Sequence, residues 1–139
     1  MKNEKKQIDP HEVLRGYDIK ITPQRLLVYS ILVNSNHHLS VDDVYAKVLK
    51  TLPSVSRATV YAILECFKKH KLANNIRIDP ERSYFESRTD WHHHFLCRKC
   101  GEVFDVDIPA CATMKKCMSG DHVIEDFQGY FYGVCGKCK

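Results

Sequence analysis

The feature that most constrains this chain is a pair of thiol knuckles, Cys97-Arg-Lys-Cys100 and Cys135-Gly-Lys-Cys138. Each Cys-x-x-Cys turn presents two sulfurs about 3.5–4 Å apart, one edge of the tetrahedron that zinc takes. Two edges close a shell of four thiolates with no open position. The spacing therefore predicts a structural Zn(2+) that ties residues 135–138 to the middle of the second half of the chain. A thioredoxin-like redox pair needs one such motif at a helix N-terminus after a strand, not two with lysines between. The chain has seven cysteines, an odd number, which reads as metal before disulfide. The opening Met1-Lys2-Asn3-Glu4-Lys5-Lys6 carries both charge signs and leads into no apolar stretch. No secretory signal is expected, and a cytoplasmic, reducing setting follows.

The 139 residues bound the fold at one ordinary domain or two small ones. No apolar run approaches the roughly 18 residues of a membrane span, so no membrane partner is expected. The basic excess is one-sided. Residues 1–87 carry 14 Lys and Arg against 10 Asp and Glu, whereas residues 88–139 carry seven of each. A polyanion-binding half joined to a metal-binding half accounts for this, with an ordinary solvated surface as the bland alternative.

Local signals divide the chain at a polar stretch, Ser87-Arg-Thr-Asp-Trp91. Before it, a short helix is expected from His11 to about Arg15. Another follows the Thr22-Pro23 start, and a third opens at Ser40 with Asp43 at capping-box spacing. A further helix begins at Ser56, with Val60, Ile63, Leu64 and Phe67 as its buried stripe. Two short strands near 75–78 and 83–86, joined by Asp79-Pro80-Glu81-Arg82, complete a winged helix-turn-helix over residues 1–87. Residues 88–139 read as a small α/β domain. Strands flank Cys100-Gly101, a helix runs from Pro109 to about Met118, and one or two strands lie between His122 and Cys135. The fold class is α+β, and the second domain is small enough to need a metal or a partner chain. The aromatics Phe127, Tyr130, Phe131 and Tyr132 read as the core of that domain, and His37, His93 and His122 as solvated, with a secondary metal as the alternative.

A second donor set lacks sulfur. His92 and His94 alternate onto one face of a strand and His93 onto the other. Glu86 and Asp105 are nearby carboxylates, and His38 precedes the Ser40 cap. Imidazole and carboxylate together suit Fe(2+), Mn(2+) or Zn(2+). The alternative is a set of surface histidines. In the helix opening at Ser56, Arg57, Thr59 and Tyr61 occupy the first turns, where base edges of double-stranded DNA are reached. Lys68, Arg77 and Arg82 read as phosphate contacts.

Ile21-Thr-Pro-Gln-Arg25, Ala58-Thr-Val-Tyr61, His92-His-His94, Cys97-x-x-Cys100-Gly101 and Tyr132-Gly-Val-Cys135-x-x-Cys138, in that order, resemble the ferric uptake regulator (Fur) family of metal-dependent repressors. The resemblance spans about residues 12–138. It implies a homodimer with N-terminal winged helices on a palindromic operator, C-terminal dimerisation domains, and a structural zinc on Cys97, Cys100, Cys135 and Cys138. It further implies a regulatory metal between the domains on His38, Glu86, His92, His94 and Asp105. A further metal site of iron-sensing members is missing by this resemblance: three of its positions hold Trp91, Ala112 and Phe127, which cannot be ligands, and only His93 at the fourth could be. Asp105 resembles the peroxide-sensing branch and Glu86 the iron-sensing one, so the ligand set is a hybrid. The resemblance favours a repressor released when hydrogen peroxide oxidises a ligand imidazole, His38 or His92. The alternatives are an iron-, zinc- or manganese-responsive repressor and, remotely, a zinc hydrolase using His92 and His94. No enzymatic activity and no small organic substrate are expected.

Overall fold

The computed structural model describes residues 9–108 and 128–139, in two compact units divided between Thr89 and Asp90. The first unit is built of capped helices. α1 (Pro10–Gly16) starts on Asp9, whose side chain accepts from the His11 amide. α2 (Pro23–Asn34) starts on Thr22, whose hydroxyl accepts from the Arg25 amide at 3.2 Å, with proline at the first helical position. α3 (Val41–Leu49) carries a full capping box. The Asp43 amide donates to Ser40 Oγ at 3.1 Å, and the Ser40 amide donates to Asp43 Oδ2 at 3.0 Å. α4 (Arg57–Lys69) starts on Ser56 and buries Val60, Ile63, Leu64 and Phe67. These side chains pack with Val28, Leu32, Val44 and Val48 into one apolar core.

Three strands complete the unit: β1 (Leu39–Ser40), β2 (Asn74–Asp79) and β3 (Arg82–Glu86). The order is β1-β3-β2, antiparallel throughout, with β3 in the centre. The β2–β3 hairpin is the expected wing, slightly longer at both ends. β1 is not legible in the sequence, because two residues are too few to display a period-two pattern.

The second unit is a three-stranded sheet around β4 (His93–Cys97). β5 (Val103–Val106) pairs with it antiparallel, and β6 (Tyr130–Gly133) pairs with it parallel on the other side. The helix expected from Pro109, with Cys111, Ala112 and Cys117, lies outside the described residues, as do His122 and Phe127. Two expectations are corrected. Phe131 and Tyr132 are 40% and 44% exposed and so lie outside the core among the described residues. His93 is buried, not solvated, with its ring 4.5 Å from that of Trp91 and 5.4 Å from that of Phe131. No helix among the described residues is long and apolar enough to cross a membrane.

Candidate functional site

The β4–β5 turn and the chain after β6 build the sulfur cluster. Cys97 ends β4, and Gly101 closes the knuckle with its amide on the Cys97 carbonyl at 2.9 Å. Gly101 has φ +75, a left-handed conformation that a side chain would strain. Parallel pairing sets Cys97 beside Gly133, two residues before Cys135. A Cβ at Gly133 would lie 3.2 Å from the Phe95 ring, a tight contact that the ring would have to yield to. The Arg98 amide donates to the Gly133 carbonyl at 2.8 Å, and Lys99 Nζ to the Cys138 carbonyl at 3.2 Å. One sulfur of each of Cys97, Cys100, Cys135 and Cys138 then lies within 4.8 Å of the others, and Cys100 Sγ to Cys135 Sγ is 3.9 Å.

The electrostatics of this cluster fit a dication. Amide N–H groups of Cys100 and Cys135 point at the Cys97 sulfur and pull its pKa down to about 6. The Cys135 amide stands 3.3 Å from that sulfur. Cys138 is pushed the other way, to about 12, first by the neighbouring Cys135 thiol and then by burial. Four sulfurs this close cannot all be anionic without a positive charge among them. The cluster is able to hold zinc, with every tetrahedral position filled by thiolate.

The nitrogen and oxygen donors fall into two groups, one in each unit. In the first unit the β1–β3 register, Leu39 opposite Phe85 and Ser40 opposite Tyr84, extends by one residue to set His38 opposite Glu86. His38 Nε2 is 2.8 Å from Glu86 Oε2. On the other side of β3, Asn74 is the register partner of Glu86, and its Nδ2 donates to Glu86 Oε1 at 3.0 Å. The buried carboxylate is thus held in a row across the sheet, one oxygen on each neighbouring strand. Asn74 is a residue that sequence reasoning missed. Its signal was available only through the β2–β3 register.

In the second unit His94 is the register partner of Asp105. His92 reaches the same carboxylate diagonally. Asp105 Oδ1 is 3.1 Å from His92 Nε2 and 3.6 Å from His94 Nε2, and the two imidazole rings are 4.4 Å apart. His92 Nδ1 donates to the Asp90 carbonyl at 2.7 Å, which leaves Nε2 with its lone pair in the neutral ring. That lone pair faces the Asp105 carboxylate, an imidazole and oxygen edge of the kind a metal ion takes. Both ring ends are buried, with His92 2% and His94 5% exposed, so these are not surface histidines. The donor type suits Fe(2+), Mn(2+) or Zn(2+).

The residues expected at DNA lie on the first unit's outer face. Arg57, Thr59 and Tyr61 are exposed, Tyr61 by 43%. Thr59 Oγ1 is hydrogen-bonded to the cap hydroxyl of Ser56 at 2.9 Å. Arg57 Nε donates to Asp42 Oδ1 at 2.6 Å. Lys68 Nζ lies 3.8 Å from Glu65 Oε2, and Arg77 and Arg82 are exposed on the wing strands.

Residues 17–128 match the ferric uptake regulator family. The chain belongs to that family. It is 30% identical over 128 residues to the peroxide-responsive repressor PerR of Staphylococcus epidermidis, covering 91% of this chain and 85% of the relative. Among solved structures it resembles the ferric uptake regulator of Francisella tularensis with iron, at 27% identity and a TM-score of 0.72, over 86% of this chain and 94% of that one. It also resembles the peroxide stress regulator of Campylobacter jejuni, at 27% identity and a TM-score of 0.67, over 94% and 100%. Members of this Fur family are metal-responsive transcriptional regulators, and the α+β architecture of this chain is that of their solved structures.

Proposed function

We propose that this regulator is a repressor that binds a palindromic double-stranded DNA operator as a homodimer when Fe(2+) or Mn(2+) is bound, and that hydrogen peroxide releases it. In this reading residues 1–87 carry DNA and residues 88–139 carry dimerisation. The two nitrogen–oxygen groups, His38 with Glu86 and His92 with His94 and Asp105, contribute to one regulatory ion, and the sulfur cluster keeps a structural zinc. What carries the reading is the imidazole–carboxylate pairing in each unit, each a partial coordination shell of the same chemistry. An ion shared by both groups converts its own binding energy into a preference for one arrangement of the DNA-binding halves. Arg57, Thr59 and Tyr61 then read bases, while Lys68, Arg77 and Arg82 meet phosphates.

Asp105 supports the peroxide response, together with the similarity to peroxide-responsive relatives. Bound Fe(2+) would supply the electron that activates peroxide beside the imidazoles of His38 and His92. Glu86 favours a second reading, a repressor that responds to iron alone.

Gel shifts on selected operator DNA test both. Binding should appear with Mn(2+) and vanish with a chelator that leaves the zinc in place. Treating the Fe(2+) form with hydrogen peroxide should release DNA and add one oxygen atom to His38 or His92 by mass spectrometry. DNA binding retained without that adduct would select the iron-responsive reading. Binding indifferent to Mn(2+) and to the chelator would refute both.

A further inference from the structure

The recognition helix carries a local contradiction. α4 has no acidic residue in its first turn and begins instead with Arg57. The helix dipole disfavours a cation there, and departures from a local rule gather at functional positions. The compensating charge comes from another helix. Asp42, in the first turn of α3, accepts Arg57 Nε at 2.6 Å. The pair is exposed, 54% for the arginine and 75% for the aspartate, so it adds little to stability. A carboxylate on a face meant for phosphates would repel them, unless it serves something else. Arg82 on the wing also lies within electrostatic reach of Asp42, so the carboxylate sits among cations of the DNA-facing surface.

We propose that Asp42 is a positioning residue that locks the Arg57 guanidinium for reading a guanine. The inference rests on the DNA-binding reading above. The atom engaged is what carries it. Asp42 holds Nε, and no other hydrogen bond of this guanidinium is present among the described residues. The Nη edge, two donors in a rigid plane, is left for the O6 and N7 pair that guanine presents in the major groove. An unheld arginine at this exposed position would spread over many rotamers and meet phosphates as readily as bases. Ala62, one turn further along α4, offers no polar group, which concentrates base discrimination on Arg57 and its neighbours in the first turns.

The test uses the full-length protein with zinc and Mn(2+). Duplexes selected from a randomised DNA library give the preferred site, and every single-base variant of it is then titrated by fluorescence anisotropy at fixed salt. Arg57→Ala should abolish preference for one guanine per half-site by about tenfold or more. Asp42→Ala should flatten the same position, while its Kd for a scrambled duplex moves less than about threefold. The double variant should discriminate no worse than Arg57→Ala alone. Asp42→Asn keeps an oxygen that can accept Nε–H and should recover part of the preference, which a charge effect alone would not restore. Melting temperatures should stay at the wild-type value. The proposal is overturned if Asp42→Ala keeps the preference while Arg57→Ala loses it. It is equally overturned if Asp42→Ala tightens binding to every duplex alike, because Asp42 would then only repel phosphate. If the wild type selects no duplex at all, the DNA reading itself falls and takes this inference with it.

Discussion

In the first unit sixteen buried side chains, from Leu14 to Phe85, pack into a single apolar core. In the second, the buried apolar side chains among the described residues are Cys97, Val103 and Cys135, and two of those three are sulfur donors. Among the described residues, the first unit buries an extended apolar core, while most of the second unit's buried apolar positions are cysteines of the sulfur cluster. The difference follows from chain length. About fifty residues bury little surface by themselves, so a metal or a partner chain is expected to supply part of the stability. It also separates the two metal chemistries: a closed sulfur shell is a fastener, while imidazole and carboxylate donors can exchange their ion.

The contrast predicts which half fails under which insult. Stripping zinc, or Cys100→Ser, should unfold residues 90–139, since a structural zinc contributes on the order of 10–16 kcal/mol at neutral pH. The helical circular dichroism of the first unit should persist, and a single cooperative loss of both would contradict the division. Acid should act in the same direction. Zinc binding must displace the Cys138 proton, held at about 12, and below about 6 Cys97 is protonated as well, so zinc affinity falls as pH falls. Metal release followed with a chromophoric chelator across pH 8 to 5 checks the sign.

Phe67→Ala is the reverse experiment. Phe67 is fully buried, and its truncation should cost about 3–5 kcal/mol in denaturant unfolding of the first unit. Zinc content should stay at the wild-type value. Asn74→Leu probes the exchangeable donors. Removing its hydrogen bond to Glu86 should weaken Mn(2+) about 10–100-fold in competition titrations, again without loss of zinc. Ser40→Ala is the mildest change. It removes one half of the α3 capping box and should cost about 1 kcal/mol.

The helices were legible because their starts are written locally. Thr22-Pro23, Ser40 with Asp43, and Ser56 all cap where their spacing says they should. The cysteine knuckles were legible because a metal shell leaves its spacing in the sequence. β1 was not, and with it went the reason His38 meets Glu86. That contact depends on a register between residues 46 positions apart. Asn74 and Asp42 were missed for the same reason: each acts through a partner that only tertiary pairing brings near. His93 was misread because triple histidine looks polar, whereas the alternation of a strand turns the middle ring onto the aromatic side.

Glu86 and Arg82 are the two ends of β3, about 13 Å apart along an extended strand. The buried carboxylate and the arginine at the hairpin tip therefore share one short strand, the central one of its sheet, with an irregularity in the β2–β3 pairing between them.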